Sequence, residues 1–237
     1  EDSLVEAIMS QGVAGLVFVS GLHADLTANT QRYQNLIESH IPFVTINGAN
    51  SKIDAPDFST DDADAITQAM RHLVGLGHKH IGFVSGPLRF SPAQIKFERY
   101  LECVEQMLPD SAPIHSETLF TVEGGQAAAQ AVLDQGATAI ICTSDIMALG
   151  TMRYIVDQGM SVPEDVSIIG FDDSAMMPFL SPALTTVRQP VRAISEAAVT
   201  TLVSRIKRTP NEMTLTTFKP ELVVRETTAP AKQATSS

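Results

Sequence analysis

The sequence predicts an α/β fold in which helices alternate with the strands of parallel sheets. Five short apolar runs, rich in valine and isoleucine and bounded by glycine or polar residues, are typical of strands that are buried on both faces. These runs are Leu16–Val19, Phe43–Ile46, Ile81–Val84, Ala139–Cys142 and Ser167–Phe171. Helical segments lie between them, and this alternation predicts repeated strand–helix units.

Three of the helical segments have clear ends. The acidic stretch 61–64 opens the first, where negative charge meets the positive end of the helix dipole, and Gly77 follows its end. Ser144 opens the second, which ends before Gly159, and Pro190 suits the first turn of the third. One apolar stripe at i+4 spacing on the third helix comprises Ile194, Ala198, Leu202 and Ile206.

The strand–helix units fall into two clusters, which predicts two sub-domains that share several crossovers, with a cleft between them. We expect an N-terminal lobe from residues 1–86 plus about 190–218, because the chain returns after the second cluster. The C-terminal lobe is expected from residues 87–189 plus about 219–228, where Glu221–Arg225 is strand-like. The small, polar residues 229–237 are predicted to form a flexible tail.

Composition excludes several classes of protein. The formal net charge of −11 repels phosphate backbones, so this stretch alone is expected to bind nucleic acid poorly. No apolar run reaches the roughly 18 residues of a membrane helix, so no membrane partner is expected. The two cysteines, Cys103 and Cys142, lie far apart, which favours reduced, packed thiols in a cytoplasmic protein.

Motifs for catalysis are missing from the sequence, which predicts that the protein is not an enzyme. There is no GxGxxG, no P-loop and no GxSxG. The six histidines are scattered without metal-ligand spacing, and no carboxylates pair as acid and base. We therefore expect neither a metal nor a cofactor.

Four segments and the chain ending resemble the LacI/GalR family of bacterial transcription regulators, in the same order. The segments are 76–87 (LGHKHIGFVSGP), 142–150 (CTSDIMALG), 162–173 (VPEDVSIIGFDD) and 182–190 (PALTTVRQP), and the ending is 222–228 (LVVRETT). The resemblance implies a type I periplasmic-binding-protein-like α/β fold, with two doubly wound parallel-sheet lobes and a ligand in the interlobe cleft. It also implies a homodimer that senses a small effector and modulates DNA binding. The alternative is a periplasmic sugar-binding protein of a transporter, which shares the fold.

The N-terminus departs from the family pattern. Nothing here resembles the family's helix-turn-helix, so DNA is expected to be a partner only through a missing N-terminal domain. Residues 1–10 and 13–19 look like the second helix and third strand of the family's sensing domain. The first βαβ unit is therefore expected to be absent, and the chain to be N-terminally truncated.

Asp172, Lys96 and Phe120 are the leading candidates for ligand contact. Asp172 follows a buried strand, at the end where parallel sheets bind ligands, and its carboxylate can accept bonds from hydroxyls; its alternative role is to cap a turn. By resemblance, Lys96 stands where many family members have an effector-clamping arginine; alternatively, it is a solvated lysine on an outer helix face. Phe120 stands at a family position for an aromatic that lies against the ligand, although most phenylalanines are simply core.

Three further residues are weaker candidates. Phe90 lies in the loop after Gly86, and Ser144 opens a helix, where it could equally serve only as a cap. Val191 begins the helix after Pro190, at a family position for an apolar ligand contact, or else belongs to the core. An aspartate with an aromatic wall favours sugars first and nucleosides second as the effector.

The dimer face is expected near residues 93–108 and the apolar run 176–180 (MMPFL). This run follows the polar turn after Asp173, which suggests an exposed apolar patch.

Overall fold

The computed structural model describes residues 2–209 and 215–232. The helices are α1 (Asp2–Met9), α2 (Gln31–Glu38), α3 (Asp62–Gly75), α4 (Ser91–Met107), α5 (Val122–Leu133), α6 (Asp145–Asp157) and α7 (Val191–Ile206). The strands are β1 (Leu16–Val19), β2 (Phe43–Ile46), β3 (Asp57–Thr60), β4 (Ile81–Ser85), β5 (Ile114–Glu117), β6 (Ala139–Cys142), β7 (Ser167–Asp172), β8 (Thr185–Arg188), β9 (Leu215–Phe218) and β10 (Glu221–Val223). Each of the five strands predicted from apolar runs is confirmed.

Contacts among the described residues divide the chain into two compact units. Unit 1 comprises Glu1–Asp61, Arg89–Pro92 and Pro190–Lys219. Unit 2 comprises Asp62–Leu88, Ala93–Gln189 and Pro220–Ser237.

Unit 1 is built on a four-stranded parallel sheet in the order β1–β2–β3–β9. The helix α7 covers one face of this sheet. The cluster that it forms with β2 and β3 comprises Val44, Ile46, Phe58, Ile194, Ala198 and Leu202. A second cluster comprises Phe18, Tyr33, Leu36, Phe43 and Ile53. Phe43 and Val44 are neighbours in β2 and therefore face opposite sides, so the sheet is covered on both faces. The stripe predicted on α7 is buried except at Ile206, which is exposed at the helix end.

Unit 2 is built on a six-stranded sheet in the order β10–β8–β7–β6–β4–β5. All strands are parallel except β10, which pairs antiparallel with β8. The chain passes from β4 to β5 on one side and then returns to place β6 on the other side of β4. The order of the strands therefore reverses between β4 and β6, which makes this the switch point of the sheet.

The boundary between the units differs from the one expected near Gly86. The structure places 62–88 in unit 2, because β4 pairs with β5 and β6. Side chains of α3 join the same core, where Ile66, Met70 and Leu73 cluster with Phe83 and Tyr100.

The chain after Thr227 is packed where the sequence predicted a flexible tail. The His78 Nε2 atom and the Ser167 Oγ atom lie 3.1 and 3.2 Å from the carbonyl oxygen of Ala229. The backbone N–H of Ala231 donates to Leu76 at 2.8 Å. Small residues allow this close approach, so residues 229–232 belong to unit 2; residues 233–237 of the predicted tail lie outside the described residues.

Candidate functional site

The carboxyl ends of β4, β6, β7 and β8 lie at one edge of the sheet in unit 2, because these strands are parallel. We call this the carboxyl edge. At the switch point, the backbone N–H of Gly86 donates to the Thr143 hydroxyl at 3.2 Å, which ties the loop after β4 to the loop after β6. Open parallel sheets bind ligands beyond this edge, at the switch point.

Asp172 is the last residue of β7 and is half-buried at the carboxyl edge. Its φ of 121° and the φ of 56° at Asp173 are unusual for non-glycine residues, and such backbone strain concentrates at ligand sites. Gln189 Nε2 donates to Asp172 Oδ1 at 2.6 Å. Burial raises the pKa of Asp172 to about 6, and nearby Asp145 adds to the rise against the Gln189 hydrogen bond. Asp172 is thus a desolvated carboxylate whose hydrogen-bond partner is an amide.

Lys96 lies on α4 with only 6% of its surface exposed, so the alternative of a solvated lysine on an outer face is wrong. Its Nζ atom pairs with Asp62 Oδ1 at 2.7 Å and lies 4.1 Å from the centre of the Phe171 ring. The ammonium is therefore held by a carboxylate and an aromatic face, both within unit 2.

Phe120 follows β5 and is 45% exposed. Its ring lies directly against Gly86, where a Cβ atom would overlap with the ring. The next residue, Thr121, caps α5 by accepting a hydrogen bond from the Gly124 N–H at 2.9 Å. A half-exposed aromatic ring is therefore seated on the switch point, and the glycine at position 86 is what makes room for it.

Ser144 is the N-cap of α6, and its Oγ atom accepts a hydrogen bond from the Met147 N–H at 3.3 Å. The capping role is thus present, and a ligand contact in addition stays a prediction.

Asp145 is 1% exposed and accepts hydrogen bonds from Thr186 Oγ1 at 2.6 Å and from the Ser174 N–H at 2.7 Å. Burial raises the pKa of Asp145, and its bonds join α6 to the loop after β7 and to β8.

The two remaining candidates, Phe90 and Val191, belong to unit 1. The guanidinium of Arg89 lies 4.9 Å from the centre of the Phe90 ring and pairs with Asp25 at 2.9 Å. Val191 is exposed at the start of α7, so it is not a core residue. The structure therefore brings Asp172, Lys96, Phe120 and Ser144 to the carboxyl edge of unit 2, whereas Phe90 and Val191 belong to unit 1.

Sequence reasoning overlooked three residues that shape this edge. Asp62 was interpreted only as a helix-start residue, Gln189 only as part of a family segment, and Gly86 only as a loop residue. Spacing in the sequence gives no signal for their contacts, which join residues far apart in the chain.

Among the described residues, no group of three or more His, Cys, Asp or Glu side chains is placed to hold a metal ion.

Comparison with known proteins places the chain in a family. Residues 70–228 match the family model described as periplasmic binding protein-like domain. The HTH-type transcriptional regulator MalR of Streptomyces coelicolor is 48% identical over 236 residues, which cover 98% of this chain and 69% of that regulator.

Solved structures agree with this placement. A LacI family transcriptional regulator from Enterococcus faecium, crystallised with ribose, has a TM-score of 0.86 at 26% identity, with 98% of this chain and 85% of that chain covered. A complex of the transcriptional regulator CelR with cellobiose has a TM-score of 0.84 at 26% identity, with 95% and 69% covered. None of the helices within residues 2–209 and 215–232 combines the length and apolar character needed to span a bilayer.

These relatives are transcription regulators, which decides between the two functions that the resemblance left open. The chain belongs to the LacI family of transcriptional regulators, in which it forms the periplasmic-binding-protein-like, effector-sensing part rather than a transport-binding protein.

Proposed function

We propose that the chain binds a sugar at the carboxyl edge of unit 2 and signals its presence to a DNA-binding segment of the complete regulator. The observation that carries this proposal is the strained, half-buried Asp172 at the end of β7, beside the switch point. Solved relatives hold ribose and cellobiose, which supports a hydroxyl-rich ligand. A nucleoside is the second candidate class.

Each candidate residue suits part of a sugar. The Asp172 carboxylate accepts hydrogen bonds from vicinal hydroxyls, and the half-exposed Phe120 ring suits the apolar C–H face of a pyranose. The Ser144 hydroxyl can add a further hydrogen bond. Phe90 and Val191 stay candidate contacts from unit 1. Lys96 takes a supporting role in this proposal, because Asp62 and Phe171 already engage its ammonium.

A thermal-shift screen tests the ligand class. Ribose, cellobiose, maltose and a set of nucleosides are added to the purified protein, since a ligand that binds only the native state raises the melting temperature. The Asp172→Asn variant should weaken binding of the active sugar by about 10- to 100-fold, because a charged hydrogen-bond acceptor is lost.

The matched control is Asp110→Asn, which removes an exposed carboxylate from a loop of unit 2. This variant should bind the sugar as the wild type does. An Asp172→Asn variant with full affinity would exclude Asp172 as the contact, and a response to nucleosides alone would replace the sugar by the second class.

We propose a homodimer whose contact includes Met176 and Phe179. These two side chains are 64% and 79% exposed, on a loop that the Ser174–Asp145 hydrogen bond ties to α6. Met177, in the same predicted patch, is 4% exposed and belongs to the core, so that part of the prediction is wrong. The exposed side of α4 carries Glu98, Glu102 and Glu105, which makes 93–108 the less suitable face.

Light scattering distinguishes the two faces. Phe179→Asp should shift the protein from dimer to monomer, because it introduces a charge where an apolar contact is expected. Ile95→Asp makes the same change on the exposed side of α4 and should leave the dimer intact. The opposite pattern would move the dimer contact to α4.

The proposed signal acts on DNA through a segment outside this chain. Effector binding can change DNA affinity only if the effector binds two arrangements of the protein with different affinity. This acidic chain by itself should show no operator binding at physiological salt, whereas the complete regulator should bind with an affinity that the sugar changes. Equal DNA affinity of the complete regulator with and without sugar would overturn this part of the proposal.

A further inference from the structure

The cations at the carboxyl edge are already engaged by carboxylates. Lys96 pairs with Asp62 at 2.7 Å, and both side chains are nearly fully buried. Arg188 pairs with Asp173 at 2.7 Å and with Glu221 at 3.1 Å. The guanidinium of Arg225 pairs with the other oxygen of Asp173 at 2.6 Å.

Two carboxylates at the same edge form no ion pair among the described residues. Asp172 receives its hydrogen bond from the Gln189 amide, and Asp145 receives its bonds from the Thr186 hydroxyl and the Ser174 N–H. These described side chains comprise five carboxylates and three cations. The excess negative charge is carried by buried or half-buried groups, which solvent screens weakly.

Acidic side chains offset part of the helix dipoles at this edge. The N-termini of α5 and α6 begin close to the carboxyl edge and would each attract an anion, but their first turns contain Glu123 and Asp145. The first turn of α4, which follows β4, contains no acidic residue.

We infer that the effector is an uncharged sugar and that the site discriminates against its phosphorylated or carboxylated forms. The inference rests on the proposed sugar site and adds the charge class of the ligand. A phosphate would have to draw Lys96 away from the nearly fully buried Asp62, while Asp145 and Asp172 repel it. Neutral hydroxyls meet no such penalty and can donate to Asp172.

Calorimetric titration with matched pairs of sugars tests the inference. The pairs are ribose with ribose 5-phosphate, glucose with glucose 6-phosphate, and cellobiose with cellobiose 6-phosphate, at neutral pH and low salt. The neutral member of the active pair should bind at least about 100-fold more tightly, because like charges in a desolvated site cost several kcal/mol. Tighter or equal binding of the phosphorylated member overturns the inference while the sugar site stands. Absence of binding by every member overturns the proposed sugar site, and the inference falls with it.

Two variants connect the discrimination to Lys96. Asp62→Asn releases the ammonium from its carboxylate and should raise affinity for the phosphorylated sugar by about tenfold, without strengthening the neutral one. Asp64→Asn removes the same charge from the same helix turn, where its carboxylate accepts a hydrogen bond from Gln68 at 2.8 Å, and should change neither affinity. Equal effects of the two variants would overturn the role of the Lys96–Asp62 pair.

A salt titration of the wild-type protein gives a measurement that needs no variant. Added salt reduces the repulsion of the exposed and half-buried charges, so binding of the phosphorylated sugar should strengthen by a small factor between low and high ionic strength. Binding of the neutral sugar should stay constant. A phosphorylated sugar whose binding weakens with salt would show net attraction and overturn the inference.

Discussion

Asp172 and Asp173 are adjacent at the end of β7, yet they differ in their charged partners and in the direction of their pKa shifts. Asp173 is held between Arg188 and Arg225, at 2.7 and 2.6 Å. Burial alone would raise the pKa of Asp173, but the hydrogen bonds from these arginines outweigh it and lower the pKa. The side chain of Asp172 accepts a hydrogen bond from the Gln189 amide, and burial raises the pKa of Asp172 to about 6.

The difference separates a carboxylate that joins structural elements from the one that we propose as the ligand contact. Both oxygens of Asp173 are used to join the end of β7 to β8 and to the segment after β10. Among the described residues, Asp172 forms no ion pair, although the charge of Lys96 lowers its pKa against the effect of burial. Two identical side chains in one dipeptide therefore have different partners.

The largest effect that would test this comparison is on stability. Asp173→Asn should lower the free energy of unfolding by about 3 kcal/mol, because it leaves the mostly buried Arg225 without its carboxylate. Asparagine tolerates the positive φ, so backbone strain is not the cause. Urea denaturation measures the loss. The control Asp157→Asn breaks an exposed pair with Arg153 and should cost less than about 1 kcal/mol. A loss as small as that of the control would show that Asp173 contributes no more to the free energy of unfolding than an exposed ion pair does.

A smaller effect is expected in the pH dependence of stability. The native state raises the pKa of Asp172 from 3.8 to about 6, so the folded protein binds its proton more tightly than the unfolded chain does. The contribution of Asp172 to stability should therefore fall as pH rises from about 4 to 6, by about 2 to 3 kcal/mol. Asp172→Asn should remove this decline and be more stable than the wild type at neutral pH.

Asp173 should show the opposite dependence. Its pKa is lowered in the native state, so its stabilisation is present above the unfolded pKa and is lost as pH falls through the folded value. Denaturation curves of both variants at several pH values measure the two contributions. Parallel pH profiles for Asp172→Asn and the wild type would contradict the difference between the two aspartates.

The smallest effect concerns the contact between the Phe120 ring and Gly86. Gly86→Ala places a methyl group where the ring lies and should reduce sugar affinity by about tenfold, or about 1.4 kcal/mol. In a Phe120→Ala background, the same change should have almost no further effect on affinity. Gly75→Ala is the control, since a Cβ there meets no atom within 4 Å. Additive losses in the double variant would show that Gly86 does not act through Phe120.

Local patterns predicted the elements whose signals lie in consecutive residues. The five apolar strands, the start of α6 at Ser144 and the buried stripe on α7 follow from hydrophobic pattern and capping chemistry alone. Four strands were missed: β3, β5, β8 and β9. Their sequences DFST, IHSE, TTVR and LTTF are short and polar, and they become strands because neighbouring strands supply the backbone hydrogen bonds.

Tertiary structure decided which groups meet. The sequence by itself determined an α/β chain of regulator type and placed Asp172 at a strand end, because strand ends and family segments are readable along the chain. It could not assign β4 to unit 2, nor pair Lys96 with Asp62, nor seat Phe120 on Gly86. Each of these depends on which strands lie side by side, and that order sets the partners, the burial and therefore the charge of every group at the carboxyl edge.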